Sequence, residues 1–325
     1  MRLPKIEVLQ PRSLEEAASL LSRHGKDAQV LAGGTDLTVS LKQRVYTPRY
    51  LVNLKAIGDL NYIRKEKKEV RIGPLTPLKD LEISSLINKE CLALSQAASQ
   101  AASPQLRNMG TIGGNICLDT RCMYYNQSLW WRESIAPCLK YGGESCHAVK
   151  GDHCYAVFQA DTPPALIALG AGIRLKGVQG ERTIPLEDSY RDNGKEHLTL
   201  QPAEILAEII IPLPTPRSAY QRMSLREAID FPMVGSAVGL RMNKGICEEA
   251  RVVLGAVNSC PVRAGRIEEF LKGKKLTDEV IAEASAFASK EAKPVNNLVD
   301  IPATYRRKMA EVMTRRAIKA ALKGV

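Results

Sequence analysis

Arg107-Asn108-Met109-Gly110-Thr111-Ile112-Gly113-Gly114-Asn115-Ile116-Cys117 is a glycine-rich turn that runs straight into a series of thiols. Glycines at such a turn let the backbone approach a phosphate without a Cβ clash, and Thr111 and Asn115 add a hydroxyl and an amide. Beyond it lie Cys122, Cys138, Cys146 and Cys154, spaced C-x15-C-x7-C-x7-C, too far apart for the paired C-x2-C of a zinc ribbon. Four thiolates on long loops suit an iron–sulfur cluster, with His147 and His153 near enough to serve as ligands instead. A zinc staple, or ordinary reduced cysteines in a large loop, stays open on spacing alone. Both tryptophans (Trp130, Trp131) fall in the same segment with Tyr124 and Tyr141, enough aromatic surface to shield a metal from solvent. Cys117 leaves the glycine turn directly and is expected in the core, outside the ligand set.

Upstream, Ser13-Leu14-Glu15-Glu16 reads as a capping box opening a helix. Gln29-Val30-Leu31-Ala32 then reads as a strand broken by Gly33-Gly34, with Thr35-Asp36 capping the helical pattern Leu37, Val39, Leu41. This is a second candidate cradle, although a plain βα turn has the same form. Two such loops suit the two phosphates of a dinucleotide. Asp161-Thr162-Pro163-Pro164 predicts another capped helix, where a carboxylate either caps or holds sugar hydroxyls. Strand patterns follow at 173–175 and 207–211, and Pro212-Leu213-Pro214-Thr215-Pro216 reads as a linker. After it the pattern is α+β: strands near 219–224, 234–241 and 250–257, then helices near 262–271, 278–290 and 304–322.

The 325 residues can bury a large core and should form two or three domains. The sequence opens without an apolar signal-like segment and has no run of 18 apolar residues, so a cytoplasmic setting with reduced thiols is expected and neither a membrane partner nor a disulfide framework. The net charge of +11 is concentrated at the C-terminus, where residues 302–325 carry seven basic side chains against Glu311. With Met309, Val312 and Met313 as the buried stripe, Arg306, Arg307, Lys308, Arg315 and Arg316 are expected on a solvated face that can meet an acidic partner. No helix-turn-helix, paired finger or aromatic RNP pattern accompanies the charge, so no nucleic acid is expected. Nor is there a self-contained hydrolytic signature.

Three stretches, Ala32-Gly33-Gly34-Thr35-Asp36-Leu37, Arg107 to Asn115, and Asp161-Thr162-Pro163-Pro164-Ala165-Leu166, resemble the flavin subunits of the xanthine dehydrogenase family of molybdenum enzymes, over nearly the whole chain. The resemblance implies an α+β chain. A two-part FAD-binding domain covers 1–214 (about 1–55 and 56–214), and a smaller C-terminal domain with a three-stranded sheet and helices covers 215–325. It also implies FAD contacts from Ala32, Gly33, Gly34, Thr35 and Asp36, from Thr111, Gly113, Gly114, Asn115 and Leu118, and from Asp161 on the sugar-alcohol side. Tyr220-Gln221-Arg222 resembles the family's Tyr-x-Lys start of the C-terminal domain, with Arg222 where lysine is usual. An insert at about 118–157, with Tyr124-Tyr125-Asn126-Gln127-Ser128 and Trp130-Trp131-Arg132, is similar to the branch typified by 4-hydroxybenzoyl-CoA reductase. Cys122, Cys138, Cys146 and Cys154 align there with the ligands of a 4Fe-4S cluster; some aldehyde oxidoreductases carry a comparable one. Resemblance to that branch implies an electron-transfer subunit, with ferredoxin as donor and FAD passing electrons on. Its partners would be a molybdenum subunit and a subunit with two 2Fe-2S clusters, in a dimer of heterotrimers serving aromatic degradation. The flavin loops flank the insert without needing its metal, so the two sites are expected to be independent.

Overall fold

The computed structural model describes residues 2–298 and 301–324; the ends of the expected domains at residues 1 and 325 lie outside them. Three sheets succeed one another along the chain. The first is parallel, β1 (Glu7–Leu9), β3 (Tyr50–Asn53) and β2 (Ala28–Leu31) in that order, with α1 (Leu14–His24) and α2 (Leu37–Lys42) as connections. The Ser13 side of the capping box forms, its hydroxyl accepting from Glu16 N, while the Glu16 carboxylate accepts from Arg12 N, one residue before the cap. Ala17, Ala18 and Leu21 of α1 pack on Ala28 and Val52 of this sheet.

The second sheet is antiparallel, in the order β4 (Ile63–Lys65), β5 (Glu69–Ile72), β8 (Ile205–Pro212), β6 (Gly172–Gly177), β7 (Gly180–Pro185). Between β5 and β6 come α3 (Leu78–Ile83), α4 (Ser85–Glu90), α5 (Leu92–Gln100), α6 (Pro104–Arg107), α7 (Ile112–Ile116), α8 (Leu129–Ser134) and α9 (Thr162–Ala168). Alanines make α5 and α9 thin enough to lie in one core with Ile173, Ile209 and Ile211 of the sheet. The opposite sheet face carries charge: Glu208 on β8 accepts from Tyr62 Oη at 2.6 Å and Arg71 Nη1 at 2.9 Å.

The third sheet has four antiparallel strands where the sequence suggests three, ordered β12 (Val262–Arg263), β11 (Ile246–Gly255), β10 (Val234–Asn243), β9 (Arg217–Met223). The missed strand is two residues long, and the helix expected from 262 begins only at α10 (Gly265–Leu271). Two residues carry too little alternation to betray a strand. Then come α11 (Asp278–Ala286), α12 (Ala288–Glu291) and α13 (Ala303–Lys323), the last lying across β9 and β10.

One basic residue of α13 departs from expectation. Arg306 is fully buried, not solvated, and its guanidinium donates to the carbonyls of Met233 (3.1 Å), Val295 (3.2 Å) and Ala256. It shares a helical stripe with Ala310, Met313, Ala317 and Ala321, all buried, so its side chain enters the core and survives there by saturating backbone acceptors. Burial depresses its pKa to about 10. Arg307, Lys308, Arg315 and Arg316 are exposed as expected. No described helix is long and apolar enough to cross a membrane.

Candidate cofactor cleft and cysteine insert

The two glycine loops, some 75 residues apart in sequence, are in contact. A Cβ added at Gly33 would stand 2.1 Å from the Met109 carbonyl oxygen, and one at Gly113 would stand 2.7 Å from that of Pro74. Gly34 has φ +75°, a conformation costly for any residue with a Cβ. The second loop is pinned by Gly110 N to Leu106 O (2.7 Å) and Leu78 N to Gly110 O (2.8 Å). Thr111 then caps α7, its hydroxyl accepting from Gly114 N at 3.1 Å. Together the loops wall a cleft of about 510 Å³, lined by Ala32, Gly33, Gly34, Thr35 and Asp36 on one side and by Thr111, Gly113, Gly114, Asn115 and Leu118 on the other. That volume lies in the range of roughly 300–1,000 Å³ usual for cofactor sites.

Two expected caps are not made. Asp36 makes no cap bond to α2 and pairs instead with Arg121, because it is already helical and its side chain turns toward the insert. Asp161 also leaves its helix uncapped: the start of α9 is bound by Asn115, whose Oδ1 accepts from Thr162 N (3.0 Å) and Thr162 Oγ1 (2.7 Å). Asp161, on the cleft wall, accepts from Tyr220 Oη at 2.9 Å and Arg222 Nη1 at 3.1 Å. Burial pushes its carboxyl up, against the pull of Arg222 and Tyr220. Arg222 itself stands behind Asp161, off the cleft wall. Sequence reasoning missed Tyr46, Asp119 and His197. Asp119 accepts from Tyr46 Oη and from Lys140 Nζ (2.7 Å), and His197 Nε2 meets Leu118 O at 2.9 Å. All but Lys140 line the cleft. These pairs span up to 79 residues and belong to no local motif.

The insert leaves the body through a two-stranded neck, where Arg121 and Val157 exchange both backbone hydrogen bonds at 2.7 Å. Inside it Cys138, Cys146 and Cys154 are buried and Cys122 is half-buried. The Cys122 thiol is pushed up to about 12, chiefly by burial, and the sulfurs that add to this are those of Cys138, Cys154 and Cys146. Among the described residues no group of three or more His, Cys, Asp or Glu side chains is placed to hold a metal ion. Cys117 ends α7 on the cleft wall, away from this group, its thiol raised to about 12 by burial. His147 and His153 stack edge-on with Tyr124 and Tyr155. Trp130 does not shield the thiols: it is 76% exposed on the outer face of α8.

Two touching glycine loops, with the buried carboxylate of Asp161 on the same wall, define a cleft of the dinucleotide-binding class. Residues 4–214 match the family described as FAD binding domain in molybdopterin dehydrogenase, and residues 218–321 match CO dehydrogenase flavoprotein C-terminal domain. The chain is 32% identical to the carbon monoxide dehydrogenase medium chain of Afipia carboxidovorans, over 96% of this chain and 95% of that one. It is 30% identical to the nicotinate dehydrogenase FAD-subunit of Eubacterium barkeri, over 85% and 82%. The crystal structure of a Cu,Mo-CO dehydrogenase in its cyanide-inactivated form contains a chain that superposes with a TM-score of 0.83 at 30% identity, each chain covered completely. This chain belongs to the FAD-binding subunit family of the molybdenum hydroxylases.

Proposed function

We propose that this chain is an electron-transfer subunit carrying FAD in the cleft and a 4Fe-4S cluster on Cys122, Cys138, Cys146 and Cys154. The observation that carries the reading is that those four thiols, three of them buried, belong to one insert whose neck adjoins the cleft wall. The cleft fits FAD through its size, its two loops without Cβ atoms and the amide of Asn115, a lining residue whose Oδ1 is used on Thr162. Gly33, Gly34, Thr35, Asp36, Thr111, Gly113, Gly114 and Asn115 would hold the diphosphate, Ala32 and Leu118 would flank it, and Asp161 would take hydroxyls of the sugar-alcohol chain. Arg222 would act indirectly, by keeping Asp161 ionised and oriented.

When bound, a cluster would supply single electrons to a flavin that accepts them singly or in pairs. The chain's own part is to bury the thiols, orient the diphosphate and keep water from the space between. The insert favours a complex of the 4-hydroxybenzoyl-CoA reductase type, with ferredoxin as donor, a molybdenum subunit and a subunit bearing two 2Fe-2S clusters as partners, in a dimer of heterotrimers in the cytoplasm. A second reading, a flavin subunit of an oxidative molybdenum enzyme acting on an aldehyde or another aromatic substrate, is favoured by relatives named for carbon monoxide and nicotinate. Metal and flavin counting on anaerobically purified protein tests the shared core: about four irons and one FAD per chain are expected. Zinc in place of iron, or FMN as the extracted flavin, overturns it. Turnover of the co-purified complex with 4-hydroxybenzoyl-CoA and reduced ferredoxin separates the two readings.

A further inference from the structure

We infer that Arg132, in the cysteine insert, is a positioning residue for the FAD cradle, so that the insert clamps the diphosphate loop and the two sites are coupled. Segment 36–46 completes the first cradle: Asp36 lies on the cleft wall, α2 comes next, and Tyr46 returns to the wall. Leu41 of α2 is buried, although no α2 side chain joins the larger apolar clusters of the described residues. The insert adds polar ties to the segment. Arg132 is 2% exposed, and its Nη2 donates to the carbonyls of Arg44 (2.8 Å) and Gln43 (3.3 Å), the otherwise unmatched acceptors where α2 ends. Its Nη1 donates to Tyr125 O (3.4 Å) and Gln127 O within the insert, so one rigid guanidinium joins the two bodies. Arg121 pairs with Asp36 at the other end of α2, and Lys140 holds Asp119, which holds Tyr46.

The same guanidinium lies over the Tyr141 ring, 4.6 Å from its centroid, and Tyr141 sits between Cys138 and Cys146. A shift of that loop therefore reaches α2 through a single side chain. Coupling of this kind is reciprocal: whatever orders the thiol loop tightens FAD, and FAD orders the thiol loop. The part of the inference that concerns the thiols rests on the cluster reading; the Arg132 clamp does not.

The test titrates FAD into deflavinated full-length protein and records the 31P resonances of the bound diphosphate, for wild type, Arg132→Met, Lys140→Met and Arg306→Met. Arg132→Met and Lys140→Met should weaken FAD about 5- to 100-fold, the usual span of site-to-site coupling, and shift the 31P signals. Arg306→Met removes an equally buried arginine far from the cradle; it should lower the melting temperature and leave affinity and 31P shifts unchanged. Unchanged FAD affinity and 31P shifts in Arg132→Met overturn the clamp, as does an equal loss in Arg306→Met, which would mean general loosening. If Arg132→Met fails to fold, Lys140→Met decides by the same readings. Stripping metal from wild type with a chelator should weaken FAD in the same direction; FAD held equally tightly by stripped and loaded protein overturns the link to the thiols. A chain that never contains iron defeats the cluster reading alone and leaves the arginine comparison intact.

Discussion

At Thr111 one hydroxyl serves two purposes. It caps α7 by accepting from Gly114 N, and it lies on the cleft wall where a phosphate oxygen would accept from it. Thr111→Val should therefore lose about 1 kcal/mol of stability with the cap, and weaken FAD by roughly 1–3 kcal/mol. Thr111→Ser should restore both in paired melting and FAD titrations; a valine variant that binds FAD normally removes the hydroxyl from the site. Asp161 and Arg222 pose a different problem, because both are about 95% buried as a pair. Asp161→Asn leaves the guanidinium without its counter-charge and should cost about 3–5 kcal/mol in denaturant unfolding, while Asp161→Asn with Arg222→Met should recover much of that. A loss in the double variant equal to the sum of the Asp161→Asn and Arg222→Met losses would mean that the pair contributes no coupling. His197 gives a pH signature: burial lowers its pKa below the usual 6.5, against the opposing pull of Asp119. As pH falls through 6.5 the unfolded chain binds a proton that the folded chain refuses, so stability should fall with pH in that window. Lys140, Asp119 and the Phe158 ring are the groups facing it. In pH-dependent melting His197→Gln should flatten this part of the profile, and a slope unchanged by the substitution assigns it elsewhere.

Among the elements, α13 shows what a periodic pattern conveys and where it misleads. Its apolar stripe was legible, yet the stripe runs through Arg306, and only the carbonyls of Met233, Val295 and Ala256 make a buried guanidinium tolerable there. Removing it leaves three acceptors unsatisfied, so Arg306→Met should destabilise by about 3 kcal/mol or more. Arg307→Glu, one residue along and exposed, should stay within about 0.5 kcal/mol. Thermal unfolding of the two variants side by side checks the contrast, and equal melting temperatures would return Arg306 to the solvated face. The glycine loops were legible for a firmer reason. A positive φ at Gly34 and a 2.1 Å approach at Gly33 demand residues without a Cβ, so the local backbone requirement is written in the residue type itself. The caps expected of Asp36 and Asp161 went astray because a carboxylate beside a helix start meets stronger partners, Arg121 and Arg222, once the chain is packed.

Across the whole molecule, the exposed cations Arg307, Lys308, Arg315 and Arg316 gather on one side of the C-terminal layer. Association with the partner subunits proposed above should weaken as salt rises, since exposed charges are screened over about 8 Å at physiological ionic strength. Reversing Arg315 and Arg316 to glutamate should weaken it further in sedimentation or pull-down of the co-expressed complex. Binding that ignores both salt and charge reversal would leave these residues as plain solubilising surface.

Sequence by itself determined both glycine loops and the main strands and helices of the C-terminal part, because each depends on local properties: alternation, fixed φ, absence of a Cβ. Tertiary structure alone decided that the two loops touch, that Tyr46, Asp119 and His197 join the cleft, that Arg222 retreats behind Asp161, and that Arg306 and Arg132 are buried. In all of these but the contact of the loops, the deciding energy is the burial of a polar group against partners up to 89 residues away, and its sign depends on whether those partners are present when the chain closes.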